Sequence, residues 1–333
     1  MKEIILAIES SCDETAMCLI DRDKNIIAHK VNSQAQDFKH IGGVVPELAS
    51  RKHVDNIFYV FNELLEEANL TIKDINYIAV TTGPGLIGAL LVGVNFANSL
   101  SLLYDIPIIA INHMQAHIYG ITKDKEILFP HLSLIISGGH TDLVYLENKL
   151  DFNLIGQTKD DAVGECFDKV ARIFDLGYPG GPQIEQLAKE GYHSYDLPLP
   201  LNDGSLDFSF SGLKSACFNL INQAKMKNQE ININDFCKSF QDTVIDILSI
   251  KLEQAIKQYQ PQSISVVGGV SCNNAIRTAL SSLSENVIFP DKELTTDNAM
   301  MVGLLATYYL DNNVKLHKYI NANPTINVEY TWN

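Results

Sequence analysis

The predicted order of strands and helices occurs twice along this chain, and this repeat constrains the fold more than any other feature. Each half opens with three strands, predicted from alternating apolar residues and turn residues. They cover residues 4–8, 15–20 and 26–31, and again residues 132–137, 142–146 and 152–157. In each half a helix, a strand, a helix, a strand and a final helix follow, and the last of these begins at about Thr296. A helical insert rich in Gly and Pro interrupts the second copy at about residues 162–207.

Two copies of this order correspond to the mixed-sheet architecture of actin, hexokinase and the Hsp70 ATPase. We therefore predict an α/β, ribonuclease-H-like fold that is duplicated into two lobes. The predicted first lobe covers residues 1–128, the second lobe with its insert covers 129–312, and residues 313–333 form a polar C-terminal tail. Open α/β sheets bind ligands at the ends of their strands, so the cleft between the lobes is the expected site.

Composition predicts a soluble, cytoplasmic protein. The 333 residues carry a formal net charge of −15, which excludes a bulk electrostatic attraction for nucleic acid. Six single cysteines without a C-x-x-C pair are typical of a reducing compartment, and no signal peptide is predicted. Residues 78–104 contain no charged side chain, but Pro84 and several Gly and Asn residues interrupt them. We interpret this stretch as a buried strand and a buried helix rather than as a membrane span.

His113 and His117 are the one pair among the nine histidines with i, i+4 spacing. On a helix this spacing places both rings on one face, which suits two metal ligands. Asp297, near the start of the last predicted helix, occupies a comparable place in the second half. Two histidines and one carboxylate suit Fe²⁺, with Zn²⁺ as the alternative metal. The competing interpretation is a pair of surface histidines and, for Asp297, an N-cap or a charge in the first turn of a helix.

Small and hydroxylated residues fill the first hairpin turn of each half. The two turns are Ser10-Ser-Cys-Asp-Glu-Thr and Ser137-Gly-Gly-His-Thr. Successive backbone N–H groups in such turns bind anions, so we predict that the two turns together hold a phosphate. The alternative is a pair of ordinary tight turns. If the turns do hold a phosphate, Asp13 in the first turn would be a cation partner or a carboxylate that orients a water molecule.

The insert carries acidic residues on both sides of a Tyr178-Pro-Gly-Gly-Pro turn. Asp168 and Glu185 are candidates for binding ribose hydroxyls, as acidic residues do in dinucleotide sites; the alternative is a solvated acidic helix face. Gly268-Gly269 lies between a predicted strand and a predicted helix, where glycine permits close approach of a phosphate. Asn273, at the start of that helix, is equally explained as an N-cap.

Together these strings resemble the tRNA threonylcarbamoyladenosine transferase family (TsaD in bacteria, Kae-type proteins elsewhere). The resemblance runs in one order from Ile8 to about Gly303. The strings that carry it are Glu9-Ser-Ser-Cys-Asp-Glu-Thr, Gly42-Gly-Val-Val-Pro-Glu-Leu-Ala-Ser-Arg, His113-Met-Gln-Ala-His, Ser137-Gly-Gly-His-Thr, Phe167-Asp-Lys, Tyr178-Pro-Gly-Gly-Pro, Phe208-Ser-Phe-Ser-Gly-Leu-Lys, Gly268-Gly-Val-Ser-Cys-Asn and Thr296-Asp-Asn.

The resemblance implies transfer of a threonylcarbamoyl group from threonylcarbamoyl-adenylate to the exocyclic amine of the adenosine beside the anticodon, in tRNAs that read codons beginning with A. It implies metal binding by His113, His117 and Asp297. It implies that the nucleotide part of the donor is bound by Ile135, Ile136, Ser137, Gly138, Gly139, Asp168, Gly181, Glu185 and Asn273. Ala299 and Met300 depart from the family pattern, in which a small pair such as Gly-Ala follows the metal-binding Asp and its Asn neighbour.

The resemblance also implies partners. They are tRNA, a shorter inactive paralogue (TsaB-like), a small P-loop ATPase (TsaE-like) and a separate synthase that makes the adenylate donor from threonine, bicarbonate and ATP. A net charge of −15 opposes the binding of a polyanion, so we expect basic residues to collect near the site and partners to complete the tRNA-binding surface. Our candidates for tRNA contacts are Arg51, Lys52, Lys169, Arg172 and Lys214.

Three other functions fit parts of the pattern. A small-molecule kinase of the same fold would use the phosphate-binding turns but would not need the histidine pair. A metallopeptidase would need the general base of the H-E-x-x-H motif, whereas Met114, Gln115 and Ala116 separate the two histidines. A non-catalytic scaffold would not need intact metal and phosphate motifs. The tRNA-modifying transferase is therefore the predicted function, with one divalent metal per chain and an adenine nucleotide as the predicted cofactors.

Overall fold

The computed structural model describes residues 2–201 and 203–332, which form two compact units. Unit 1 contains the residues up to Phe38, Val44–Glu126 and the residues from Pro290 onward. Unit 2 contains Lys39–Gly43 and Ile127–Phe289. Each unit is built around one five-stranded sheet.

The described residues contain ten strands and ten α-helices. In chain order the strands are β1 Ile4–Glu9, β2 Glu14–Asp21, β3 Ile26–Ser33, β4 Tyr77–Gly83, β5 Ile108–Asn112, β6 His131–Ile136, β7 Thr141–Leu146, β8 Phe152–Gln157, β9 Ser263–Val267 and β10 Val287–Ile288. The helices are α1 Ala35–Phe38, α2 Pro46–Ala68, α3 Ile87–Tyr104, α4 His113–Gly120, α5 Val163–Ile173, α6 Gly180–Ala188, α7 Ser211–Met226, α8 Ile233–Tyr259, α9 Asn274–Ser281 and α10 Ala299–Asp311.

The sheet of unit 1 has the strand order β3-β2-β1-β4-β5. Neighbours among β1, β2 and β3 are antiparallel, whereas β4 runs parallel to β1 and β5 parallel to β4. Leu6 and Ile8 point into the core that α2 and α3 share with the sheet, and the intervening Ala7 lies near α10. A Cβ at Gly303 of α10 would lie 2.7 Å from Cγ2 of Ile20, so this glycine lets the helix pack closely on the sheet.

The sheet of unit 2 has the corresponding order β10-β9-β6-β7-β8. Again three neighbouring strands are antiparallel, and β9 and β10 run parallel to the first of them. The helices of the insert and α8 supply an aromatic core, in which the rings of Phe167 and Phe240 meet edge to face with centroids 5.2 Å apart. The repeated order that the sequence predicted is therefore present in both sheets.

The structure divides the chain differently from the predicted lobes near the C-terminus. The prediction placed α10 in the second lobe, but this helix packs on β1 and β2 of unit 1. Residues 313–333 were predicted to form a separate polar tail, yet Ile320, Ile326 and Val328 are buried. The order of elements along the chain does not show which sheet a helix covers. The apolar surfaces of α10 and of these three residues are buried in unit 1, and this burial determines their place.

The uncharged stretch at residues 78–104 forms β4 and α3, as predicted. By length and composition alone, α3 is long and apolar enough to cross a membrane. It packs against α2 and β4, and its buried residues include Leu90, Val94 and Phe96. These contacts are those of a helix that covers a sheet.

Candidate metal centre and nucleotide-binding residues

A helix that begins directly after a strand presents the histidine pair. Asn112 ends β5 and caps α4, because its Oδ1 accepts hydrogen bonds from the backbone N–H of Met114 (3.0 Å) and of Gln115 (3.4 Å). The helix therefore starts at His113, and His117 follows about one turn later, with 4.7 Å between the two ring centroids. Both rings lie on the same face of α4, as the spacing predicted.

Asp297 approaches this pair from the last part of unit 1. It directly precedes Asn298, whose side chain caps α10 by accepting from the N–H of Met301 (3.0 Å). Because Asn298 is the cap, α10 begins at Ala299 rather than at the predicted Thr296. The N-cap role that was the alternative for Asp297 thus belongs to its neighbour.

The three side chains converge on one point. Oδ1 of Asp297 lies 3.1 Å from Nε2 of His117 and 3.5 Å from Nε2 of His113. One ligand atom from each residue lies within 4.8 Å of the others. Among the described residues, the buried Nδ1 of His117 has no hydrogen-bond partner, so this ring is held only through Nε2. Two ring nitrogens and one carboxylate oxygen are a donor set that can hold a divalent cation and leave coordination positions open.

Glu9 contacts the side of the His113 ring that faces away from Asp297, and it was not predicted from the sequence. It is fully buried at the end of β1, and its Oε2 lies 3.0 Å from Nδ1 of His113. The carboxylate also accepts hydrogen bonds from the N–H of Ser11 (2.6 Å) and the hydroxyl of Thr81 (2.7 Å). A carboxylate that holds the outer nitrogen of a ligating histidine fixes its tautomer and orientation. A charged residue ending an otherwise apolar buried strand was the signal available in the sequence.

Negative charges around His113 favour a cation at this place. Burial acts to lower the pKa of His113, but Asp297 and Glu9 outweigh it and raise the pKa to about 9. Burial acts to raise the pKa of Glu9, and the charge and hydrogen bond of His113 lower it overall. The two carboxylates thus place negative charge on both sides of the His113 ring, an arrangement that also suits a cation.

Asp13 lies in the turn between β1 and β2, beside a second acidic residue. The pKa of Glu14 is raised well above its usual value by burial, and then by the charges of Asp297 and Asp13. Since both charges act on Glu14, Asp13 belongs to the acidic surroundings of the metal ligands, although it is outside the group of three. Its role as a cation partner or water-positioning carboxylate stays a prediction.

The β1–β2 turn of unit 1 is closed by hydrogen bonds from its two serines to residues of α3 and α4. The hydroxyl of Ser10 donates to the carbonyl oxygen of Ala89 (3.0 Å), and that of Ser11 lies 3.2 Å from Nδ1 of His113. Both serines are buried. These hydroxyls are therefore engaged, and the structure connects this turn with His113. Phosphate binding by the backbone of this turn stays a prediction.

The corresponding β6–β7 turn of unit 2 is open. Oγ of Ser137 accepts from the N–H of Gly139 (3.3 Å) and of His140 (3.0 Å), which keeps the turn tight. A Cβ at Gly138 or Gly139 would meet no described atom within 4 Å. The N–H of Gly164 donates to the carbonyl oxygen of Ser137 (3.2 Å), so α5 begins beside the turn. A backbone turn next to a helix N-terminus is suited to an anion.

The remaining predicted nucleotide-binding residues also lie in unit 2. Asp168 accepts from the N–H of Gly180 at the start of α6 (2.7 Å), and burial raises its pKa. Glu185 accepts from the backbone N–H (2.9 Å) and the side chain (2.8 Å) of Asn274 at the start of α9. Asn273 caps α9, as its alternative interpretation predicted. Asp168 thus binds the start of α6, and Glu185 connects α6 to the start of α9.

Three more residues complete the predicted nucleotide site. Ile135 and Ile136 end β6 and are fully buried, so neither side chain faces solvent. A Cβ at Gly181 would meet no described atom within 4 Å, which leaves open space at the start of α6. Nucleotide binding by this set stays a prediction.

The basic residues predicted to contact tRNA separate into two groups. In unit 1, Arg51 pairs with Glu47 on the same helix, and Lys52 pairs with Asp37. In unit 2 the other three, with neighbours from α5 and α7, line a cavity of 440 Å³: Lys169, Arg172 and Lys214. Two of them, Lys169 and Lys214, already bind Asp161. The structure thus brings three of the five candidates together, with part of their charge compensated.

Two five-stranded sheets of corresponding strand order define a protein of the duplicated actin-like α/β class, and the His–His–carboxylate group gives it a candidate metal site. A sequence model of the family described as TsaD, tRNA N6-adenosine threonylcarbamoyltransferase, matches residues 25–304. The chain belongs to this family. It is 49% identical to the tRNA N6-adenosine threonylcarbamoyltransferase of Staphylococcus saprophyticus over 92% of this chain and 91% of the relative. It is 47% identical to that of Bacillus anthracis over 98% of this chain and 97% of the relative.

Solved structures agree on the fold. The chain resembles full-length HypF in its phosphate- and nucleotide-bound form with a TM-score of 0.62 and 14% identity, over 93% of this chain and 47% of HypF. It resembles component A of the Acidaminococcus fermentans (R)-2-hydroxyglutaryl-CoA dehydratase with a TM-score of 0.54 and 15% identity, over 93% of this chain and 99% of that protein. The predicted fold class is confirmed.

The family assignment also confirms the predicted activity. The relatives are transferases that form N6-threonylcarbamoyladenosine in tRNA, and the high identity over nearly the whole chain extends that activity to this protein. The kinase, peptidase and scaffold alternatives are thereby excluded as the main function.

Proposed function

We propose that the chain transfers the threonylcarbamoyl group from threonylcarbamoyl-adenylate to the N6 amine of the adenosine beside the anticodon. The amine nitrogen bonds to the carbamoyl carbon, the bond from that carbon to the AMP phosphate oxygen breaks, and the amine gives up one proton. The observation that carries the proposal is the convergence of His113, His117 and Asp297 above a buried carboxylate. A bound divalent cation would supply Lewis-acid polarisation of the carbamoyl oxygen.

His113, His117 and Asp297 are the proposed ligands of one divalent ion per chain. The nitrogen and oxygen donors suit Fe²⁺, with Zn²⁺ as the alternative, and leave positions open for a substrate oxygen. Glu9 holds the ring of His113 in the orientation that turns Nε2 toward Asp297, so that this nitrogen would be available to the ion. Asp13, in the β1–β2 turn, is the proposed cation partner or water-orienting carboxylate.

Residues of unit 2 are the proposed binding site for the adenylate. The open β6–β7 turn would hold the phosphate of the departing AMP and stabilise its charge. The ribose and base are assigned to the residues around the starts of α6 and α9. The proposed set is Ile135, Ile136, Ser137, Gly138, Gly139, Asp168, Gly181, Glu185 and Asn273.

The proposed partners are those that the family resemblance implies, and the charge and the surface of the chain are compatible with them. With a net charge of −15, the chain needs help to bind tRNA. An exposed apolar face on α2 and α3 is available for a paralogue (TsaB-like): Val54 is 59% exposed, Phe58 64% and Leu91 42%. A small P-loop ATPase (TsaE-like) and the adenylate synthase complete the cytoplasmic system.

The experiment follows radiolabelled threonine into tRNA with purified components. We expect robust incorporation when the chain, the paralogue, the ATPase and the adenylate synthase are all present. The chain alone with preformed adenylate should give little product. Full activity of the isolated chain over many turnovers would overturn the partner requirement, and no incorporation with all partners present would overturn the proposed donor and acceptor.

A further inference from the structure

The end of the chain crosses unit 1 and is fastened at several points. We call residues 320–332 the C-terminal strap. At its start, Asn98 of α3 exchanges two hydrogen bonds with the backbone of Ile320, at 2.9 and 3.0 Å. Further on, the N–H of Asn323 donates to the carbonyl oxygen of Thr82 at the end of β4 (2.7 Å). The strap is therefore an ordered part of unit 1.

The strap reaches the back of the helix that carries the histidines. Gln115 lies midway between His113 and His117 in sequence. Two residues correspond to a rotation of about 200° around α4, so Gln115 lies on nearly the opposite face of the helix from both histidines. Its side chain is fully buried. Its Nε2 donates to two carbonyl oxygens of the strap, those of Val328 (2.6 Å) and Tyr330 (3.2 Å). Both donor positions of this amide are thus directed at the strap.

The same glutamine also joins α4 to α10. Its Oε1 accepts a hydrogen bond from the hydroxyl of Tyr309, which lies on α10 and is itself buried. α10 begins two residues after Asp297, the third member of the metal group. Gln115 is therefore the one point at which the histidine helix, the helix that follows the carboxylate and the strap are bonded together, within the part of the chain that the structure describes.

A second contact fixes the position where α4 begins. Asn112 caps the helix through its Oδ1, and its Nδ2 donates to the carbonyl oxygen of Asn327 in the strap (2.7 Å). The side chain is completely buried, so water does not replace the strap as its acceptor. One residue thus connects the strap to the first turn of α4, which carries His113.

We propose that the C-terminal strap is a positioning element for the metal centre, acting on the histidines through Gln115 and Asn112. The inference rests on the proposed metal role of His113, His117 and Asp297. Metal ligands must be held within a few tenths of an ångström of their working geometry, and groups behind the ligands supply that restraint. Without the strap, α4 loses three hydrogen bonds on its buried side and can rotate or shift relative to Asp297.

The test measures metal affinity, without any assay of tRNA modification. Two variants are compared with the wild type. Gln115→Leu, in the full-length protein, keeps the size of the side chain without its hydrogen bonds, and the second variant is a chain that ends after Asn323. The matched control is Gln34→Leu, because Gln34 is also buried in unit 1 but donates to Ala49 on α2 (3.4 Å). The probe is Co²⁺. Chelator competition measures its affinity, and the visible spectrum reports its coordination geometry. Thermal melting of the metal-free proteins is recorded in parallel.

We expect the Co²⁺ Kd of Gln115→Leu to rise about tenfold or more, with a changed visible spectrum, while Gln34→Leu binds like the wild type. The truncated chain should behave like Gln115→Leu; if it does not fold, the point variant decides. A folded Gln115→Leu protein with wild-type affinity and spectrum would overturn the strap's role, even if its melting temperature falls. A wild-type protein that binds no Co²⁺ would overturn the metal centre and the strap's role together.

Discussion

The first hairpin turns of the two units occupy equivalent places in a repeated sheet, yet their surroundings are opposite. In unit 1, the hydroxyls of Ser10 and Ser11 are buried and bonded to Ala89 and His113. In unit 2, Gly138 and Gly139 are exposed beside the start of α5. The same turn is thus buried and hydrogen-bonded to neighbouring helices in one copy, and it is exposed to solvent in the other.

This difference shows how a duplicated fold acquires two kinds of site. In unit 1 the strand that leads into the turn ends in Glu9, which binds His113, so the turn becomes part of the support for a metal ligand. In unit 2 the corresponding position is Ser137, whose hydroxyl only tightens its own turn. We therefore propose that the first copy holds an ion and that the second receives a ligand from solvent.

The largest expected effect comes from removing the ligands in unit 1. His113→Ala combined with His117→Ala should abolish metal binding and lower the rate of threonylcarbamoyl transfer by at least about 100-fold, because the ion stabilises charge in the transition state. Binding of AMP, assigned to unit 2, should persist. Elemental analysis, the tRNA assay and calorimetry measure the three quantities, with His193→Ala as a control histidine in unit 2. Equal metal content in wild type and double variant would contradict the assignment.

A smaller effect should follow from changing the support of one ligand. Glu9→Gln keeps the shape of the side chain but removes the charge that faces Nδ1 of His113, so metal affinity should fall by about 10- to 100-fold. Chelator competition measures this loss, and Glu47→Gln on the surface of α2 is the control. Unchanged affinity in a folded Glu9→Gln protein would mean that the closed turn of unit 1 does not serve the metal.

The smallest effects should come from adding one methyl group near each turn, and they should differ in kind. A Cβ at Gly85 would lie 2.6 Å from the carbonyl oxygen of Ser11, so Gly85→Ala should destabilise the fold by about 1 to 3 kcal/mol. Gly139→Ala meets open space and should change stability by less than about 0.5 kcal/mol, but it should weaken AMP binding. Denaturant unfolding and calorimetry separate these outcomes. Equal destabilisation by both substitutions would remove the contrast between a closed and an open turn.

The features that could be predicted from the sequence are those that show as a regular spacing of residues within one strand or helix. Alternating apolar residues identified the six hairpin strands, and i, i+4 spacing identified His113 and His117. The duplicated order then gave the fold class. Each of these inferences needs only residues that lie near one another in the chain.

The features that were missed depend on contacts between distant segments. Nothing near Glu9 in sequence indicates that it binds His113, and nothing near Gln115 indicates that it bonds to Val328 and Tyr330. The last residues of the chain look polar because their apolar side chains are separated by polar ones, although Ile326 and Val328 are buried. Pairing over such separations follows from tertiary packing, which a local pattern does not contain.

The metal ligands come from two stretches of chain between which the whole of Ile127–Phe289 is inserted. A ribosome therefore finishes unit 2 before it has made Asp297, α10 or the strap. During synthesis the histidines on α4 have neither their carboxylate partner nor the support behind Gln115, so the centre assembles only as the last part of the chain emerges. If the centre binds its proposed ion, metal loading would for this reason be a late step in the maturation of the protein, because a prematurely terminated chain contains the two histidines without Asp297.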